Sequence, residues 1–287
     1  MATDSSITLL TLGGLANRMR AIASAVALAH DTRRPLRVIW PVNNELRARF
    51  DDLFHPFHAG VDLHNVSEAR ALWLYRPARK RNLYLSPLLR AGRFTAVYSD
   101  DDSLLTENAP EILAAIKSAR GSVLLRAGTF FYPCGNDAYR HLFRPVEAVR
   151  TEADKVLALL GDDATGFHIR RTDNTVSITE SPVEAFITEA ENEFALHPGR
   201  KIYLATDDNE VKHLFHARFP GKTVTTPATA DRRSLSGMRH ALTEMLVLAG
   251  CARIIGSFYS SYSEAAAILG DTPLRQLRRA TSPASGE

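Results

Sequence analysis

The amino-acid sequence predicts an α/β protein in which parallel sheets are covered by helices. Apolar runs of strand length alternate with longer stretches where apolar residues recur at helical spacing. An alternation of that kind implies parallel pairing, because each helix serves as the crossover between neighbouring strands. The chain has 287 residues, which is long for one hydrophobic core and comfortable for two.

Taken in order, Ile7 to Leu12 reads as a buried strand. Leu15, Met19, Ile22 and Val26 then recur at helical spacing, so 15–30 is an amphipathic helix with Met19 and Ile22 in the core. Leu36 to Trp40 and Ser122 to Arg126 are further strands. The second half alternates more regularly. Helices are expected over Val146 to Leu160, Pro182 to Phe194, Asn209 to Phe219, Ser236 to Ala249 and Ser260 to Leu269. Strands are expected over Gly166 to Ile169, Lys201 to Ala205, around Val224, and over Ala252 to Gly256. The break near Phe143-Arg144-Pro145 divides the chain into an N-terminal domain, 1–144, and a C-terminal domain, 145–272. Residues 273–287 form a tail, small and polar from about Arg279 and expected to be disordered there.

Composition narrows the function classes. Hydrophobic residues make up 45% and charged residues 23%, as in an ordinary globular protein. A net charge of +3 suits an anionic small molecule in a local pocket; the basic residues are too dispersed for a nucleic-acid surface. Cys134 and Cys251 form neither a metal-ligand spacing nor a disulfide framework. No run approaches the roughly 20 apolar residues of a membrane span, and the first residues lack a signal-peptide pattern, so a cytoplasmic protein is expected. The histidines show no HExxH arrangement and no serine sits in a GxSxG elbow.

Four segments carry candidate chemistry. In GFHIRRTDN, residues 166 to 174, Arg170 and Arg171 follow a strand at the edge where α/β sheets bind ligands, flanked by His168 and Asp173. Guanidinium groups match phosphate oxygens and can stabilise a diphosphate leaving group. An Arg pair bound to surface acids is the alternative. In GGLANRMR, residues 13 to 20, Gly13 and Gly14 permit close backbone approach before a helix N-terminus, and Asn17 and Arg18 are expected to face a cleft. A plain tight turn competes. In IYLATDDNEV, residues 202 to 211, Asp207 and Asp208 either cap the next helix, orient the arginines or a ligand, or hold a metal; the Arg pair makes the metal superfluous. In GSFYSSYSEAA, residues 256 to 266, Ser260, Ser261 and Ser263 either cap a helix or open it to a phosphate. Upstream, Glu244 lies in an apolar helix run, where it either faces solvent or accepts from the donors of guanine.

In this order, the four segments resemble the fucosyltransferase superfamily: the α-1,6-fucosyltransferases, the protein O-fucosyltransferases and the bacterial α-1,2 enzymes. GGLANRMRAIASAVALA looks like the family's GGLxNQ-type loop and helix, GFHIRRTDN like its HxRRTDK motif, IYLATDD like its second motif, and GSFYSSYSEAA like its serine-rich third. The likeness covers about 165 to 269 well and, in the first half, only the first thirty residues. It implies a GT-B fold, two Rossmann-like domains with a cleft between them, the N-terminal one shaping the acceptor site. It further implies inverting, metal-independent fucosyl transfer from GDP-fucose to a glycan or other hydroxyl acceptor, with no cofactor. By the same resemblance, Arg170 and Arg171 bind the diphosphate, His168 lies beside the donor and Asp173 organises the loop. Asp207 and Asp208 match the second motif's acids. Glu244 falls where the α-1,6 enzymes carry a guanine-reading aspartate, sixteen residues before Ser260. Asn17 helps position the acceptor. The chain departs from the pattern at Asn174, where those enzymes have lysine, and the glutamate they offer next has no match at its offset; Glu180 is the first candidate for the general base and Asp173 the second. A binding protein that has lost its base, or a transferase for another GDP-sugar such as GDP-mannose, are the competing readings.

Overall fold

A computed structural model describes residues 5–57, 60–72, 94–100, 109–172, 175–227 and 231–279. The chain splits into two compact units, Met1–Arg144 with Arg232–Leu235, and Pro145–Asp231 with Ser236–Glu287.

The first unit is a five-stranded sheet of β1 (Ile7–Thr11), β2 (Leu36–Val42), β3 (Val61–Ser67), β4 (Ala96–Ser99) and β5 (Val123–Ala127), in the order β3-β2-β1-β5-β4. All its pairings are parallel. Every residue of β1 is buried, as expected of a central strand covered on both faces. Its helices among the described residues are α1 (Leu15–Thr32), α2 (Glu68–Leu72), α3 (Ala109–Ser118) and α4 (Asn136–Leu142). Met19 and Ile22 of α1 are fully buried. Leu10, Ile39, Val66 and Leu124, one from each of four strands, pack with Phe94 and Ala71.

The second unit is also a five-stranded sheet, of β6 (Thr165–Ile169), β7 (Ile202–Thr206), β8 (Thr223–Val224), β9 (Arg253–Ser257) and β10 (Leu274–Leu277), in the order β10-β9-β6-β7-β8, again all parallel but with its last two strands in the opposite order to those of the first unit. Counted within the unit this is 3-2-1-4-5, a doubly-wound order. Its helices are α5 (Glu147–Leu160), α6 (Thr175–Glu180), α7 (Val183–Leu196), α8 (Asn209–Arg218), α9 (Leu235–Ala249) and α10 (Ser261–Gly270). Strand alternation sorts the two faces. Phe167, Ile169, Ile202 and Leu204 point into a core with Phe186, Phe194, Phe215 and Phe219 of α7, α8 and the residue after α8. Gly166 faces the other way, where an added Cβ would meet Leu248 of α9 and Cys251.

One boundary differs from the sequence expectation. The tail does not begin at 273, because Leu274–Leu277 pairs with β9 as the edge strand β10. Short edge strands with mixed polarity, such as LRQL, carry no apolar run to announce them.

Candidate functional site

The switch point of the second sheet lies between β6 and β9, where connections leave in opposite directions. Ligands of such sheets bind beyond the carboxyl ends at that point. Arg170 and Arg171, both half-buried, stand there. The Arg170 amide donates to Ser257 Oγ at 3.1 Å, tying the end of β6 to the end of β9. The Arg171 amide donates to Asp207 Oδ1 at 2.7 Å, and Thr172 gives Asp207 Oδ2 its amide at 3.2 Å and its hydroxyl at 2.6 Å. Asp207 therefore holds the arginine loop by its backbone. Asp208 does the capping: as N-cap of α8 its side chain accepts from the Glu210 amide at 2.8 Å. Asp173 and Asn174 lie outside the described residues.

Behind the loop, His168 is buried among the serines of the fourth segment. Its Nδ1 lies 2.7 Å from Ser263 Oγ and 3.4 Å from Ser260 Oγ, and its ring stacks on Tyr262 at 4.7 Å. Burial, then the Arg170 charge, push its pKa down to about 3 against the opposing pull of Asp207. His168 is thus neutral across the physiological range. Ser260 is the N-cap of α10 but makes no side-chain cap bond. Serine capping, one reading of the sequence, is thus replaced by bonding to His168. The opening amides of α10, Ser261 included, keep no side-chain cap, and such amides attract anions. Tyr259, just before, has a positive φ of 57° and is 70% exposed.

Glu244 sits on α9, 3% exposed, so the solvent-facing alternative is overturned. Its Oε1 accepts from Thr226 Oγ1 at 2.6 Å and lies 3.5 Å from His240 Nε2. Thr226 follows β8, at the same carboxyl edge, and its carbonyl accepts from buried Lys212 Nζ at 3.1 Å. Burial lowers the Lys212 pKa while the Glu244 charge opposes it. Thr226, His240 and Lys212 were not singled out in the sequence; the one signal for them is the i,i+4 spacing of His240 and Glu244.

Glu180 ends α6 beside the C-terminal strand. Its carboxylate accepts from Arg278 Nε at 2.9 Å, and its carbonyl from the Arg279 amide at 2.6 Å. Arg278 in turn covers the Phe258 ring at 4.7 Å.

The remaining candidates belong to the first unit, around the carboxyl end of β1. Gly13 adopts φ 75°, where a Cβ would meet Asn17 Nδ2 at 2.7 Å, so glycine is required. Its amide donates to Glu45 Oε2 at 3.1 Å. Gly14 is the N-cap of α1 and has open space around its Cα. Asn17 Oδ1 accepts from Arg20 Nη2 at 2.8 Å. Arg18 differs from the sequence expectation of a cleft-facing residue. It is fully buried and donates to the Gly13 carbonyl at 2.7 Å, to Asn43 Oδ1 at 2.9 Å and to the Pro41 carbonyl. The guanidinium also lies over Trp40 at 5.0 Å. Its donors are spent stitching β1 to β2, a role no one-dimensional pattern distinguishes from ligand binding.

Among the described residues no group of three or more His, Cys, Asp or Glu side chains is placed to hold a metal ion. Both cysteines are free, and no described helix is long and apolar enough to cross a membrane.

Comparison with known proteins gives the fold. No protein-family model and no curated protein sequence matches the chain. Solved structures do. NodZ α-1,6-fucosyltransferase, in a crystal soaked with GDP-fucose, superposes with a TM-score of 0.62 at 19% identity, covering 92% of each chain. FUT1 of Arabidopsis thaliana, in complex with GDP, gives 0.61 at 13% identity, covering 94% of this chain and 69% of that one. POFUT1 in complex with GDP-fucose gives 0.52 at 10% identity over 96% and 98%. The architecture is GT-B, two Rossmann-like domains.

Proposed function

We propose that this chain is an inverting glycosyltransferase that moves fucose from GDP-fucose to a hydroxyl of a glycan or another acceptor. One observation carries the reading: two half-buried arginines stand at the switch point of the second sheet, beside the uncapped start of α10. In this reading two arginines and a helix N-terminus serve the edge where a nucleotide's diphosphate fits a doubly-wound sheet. The structural neighbours crystallised with GDP or GDP-fucose support that ligand class.

In this reading the acceptor hydroxyl attacks fucose C1 from the face opposite GDP. The C1–O bond to the β-phosphate breaks, and Arg170 and Arg171 stabilise the charge that gathers on the departing diphosphate. Neutral His168 holds the donor side of the loop, Asp207 fixes the loop backbone and Glu244 reads the guanine. The acceptor proton goes to a single general base, for which Glu180 is the first candidate and Asp173 the second, and Gly13, Gly14 and Asn17 serve the acceptor side. Arg170→Ala is expected to lower donor turnover at least ~100-fold, the scale of losing one transition-state donor. Near-normal turnover in that variant would refute the assignment.

The engagement of Glu180 with Arg278 favours a second reading, a GDP-sugar-binding protein without a working base. Calorimetric titration with GDP, followed by a GDP-fucose hydrolysis assay and an acceptor screen, separates the two. Tight binding with no turnover on any acceptor would select the second.

A further inference from the structure

Thr226 is the meeting point of the buried polar groups around Glu244. Its hydroxyl has one proton, and the 2.6 Å contact to Glu244 Oε1 has the length of a charge-assisted bond to a carboxylate. The proton is therefore given to Glu244. His240 Nε2 lies 3.0 Å from the same oxygen. Since Thr226 Oγ1 has no second proton to give, the histidine is the donor and carries its proton on Nε2. A directed chain results: His240 Nε2–H to Thr226 Oγ1–H to Glu244 Oε1. The Thr226 backbone is fixed independently by Lys212 on its carbonyl.

Two atoms of this cluster are left over. Glu244 Oε2 accepts no hydrogen bond among the described residues. The Tyr203 hydroxyl, on the same face of the sheet, is fully buried and meets no hydrogen-bond geometry among them, although it lies beside Thr226. Buried polar atoms are nearly always paired, so an orphaned donor beside a half-used carboxylate marks a place that a ligand completes.

We infer that Thr226 and His240 are positioning residues for base selection. They hold Glu244 by Oε1 with Oε2 presented to the nucleotide. Guanine offers two parallel donors, N1–H and the N2 amino group; Oε2 takes one and the remaining lone pair of Oε1 the other. The inference rests on the GDP reading above and adds to it the two residues that set the specificity.

The test is calorimetric titration of the full chain with GDP and with IDP, which keeps N1–H and lacks the N2 amino group. The wild-type protein is expected to favour GDP by at least ~10-fold, the scale of one charge-assisted hydrogen bond. Thr226→Val and His240→Leu are expected to shrink that preference to about threefold or less, by the same arithmetic. Thr226→Ser and His240→Gln, which keep a donor at each position, are expected to restore it. A merely structural role would weaken both nucleotides alike and leave the ratio untouched. If Glu244→Gln abolishes the preference while Thr226→Val and His240→Leu keep it, the positioning role fails and the base reading survives. If Glu244→Gln itself keeps the preference, the base reading fails and takes the inference with it. Should Thr226→Val not fold, His240→Leu decides alone, since that side chain is 15% exposed and less enclosed than Thr226.

Discussion

At the scale of single residues, the buried ions divide by what their partners are for. Arg18 has lost its solvent and gained three acceptors, two of them backbone carbonyls at the ends of β1 and β2. Burial lowers its pKa to about 10, with Glu45 opposing, so it stays charged at neutral pH. Arg18→Leu removes these three bonds from the interior, while Asn43 Oδ1 keeps the Glu45 and Leu46 amides, and should cost about 2–4 kcal/mol, read as a lower denaturant midpoint. Glu193 is the corresponding ion of the second unit. Its carboxylate takes Arg200 Nη1 at 2.7 Å and Thr165 Oγ1 at 2.8 Å. Burial pushes its pKa up, but the Arg200 and Thr165 hydrogen bonds and the charges of Arg253 and Arg200 outweigh it, and the result lies below 4.5. The unfolded chain therefore binds the proton first as pH falls. The stabilisation is whole above about pH 4.5 and is lost as pH drops through the lower folded value. Glu193→Gln should show a flatter loss of stability between about pH 5 and pH 3 than the wild-type protein; identical acid limbs in the two proteins would count against this network.

At the scale of elements, the site depends on how closely β9 passes α10. A Cβ on Gly256 would lie 2.5 Å from Ser263 Oγ and 2.8 Å from Ser263 Cβ. Ser263 is the partner of His168, so Gly256→Ala pushes α10 away from the end of β6. The expected cost is about 1–3 kcal/mol from overpacking, together with weaker GDP binding. Gly199→Ala, where nothing lies within 4 Å of the added Cβ, should stay within about 0.5 kcal/mol. Equal effects at both positions in thermal unfolding would remove the argument. The same scale explains what could be read from sequence. Central strands such as ITLLT, GFHI and IYLA are covered on both faces and appear as nearly continuous apolar runs. The strands that escaped, VDLHNVS, AVYS and LRQL, all lie at sheet edges, where one-sided exposure mixes polar residues into a short segment. The arginine loop was legible because its letters are contiguous. Thr226 was not, because only the approach of α9 to the end of β8 brings it to Glu244, and His240, on the same helix as Glu244, had only its i,i+4 spacing to mark it.

At the scale of the whole molecule, the question is what neutralises a nucleotide diphosphate. Sugar-nucleotide enzymes meet that charge with a divalent cation or with fixed cationic groups. In the function proposed above, the fixed groups are two arginines whose backbone amides are held by Ser257 and Asp207, at the carboxyl edge where α10 begins. Asp207 is already occupied on both oxygens by the loop. Asp208 is spent on a helix cap. With both acids so engaged, the proposed transfer is expected to proceed without a metal ion. Turnover of GDP-fucose should change by no more than about twofold when millimolar EDTA is added. Raising the salt from about 0.05 to about 0.5 M should instead weaken GDP binding, because the attraction of these partly exposed guanidinium groups for phosphate is screened more as the Debye length falls to a few ångströms at the higher salt. Loss of turnover in EDTA, with recovery on adding magnesium or manganese, would place the charge neutralisation on a bound ion and leave the arginines a supporting part.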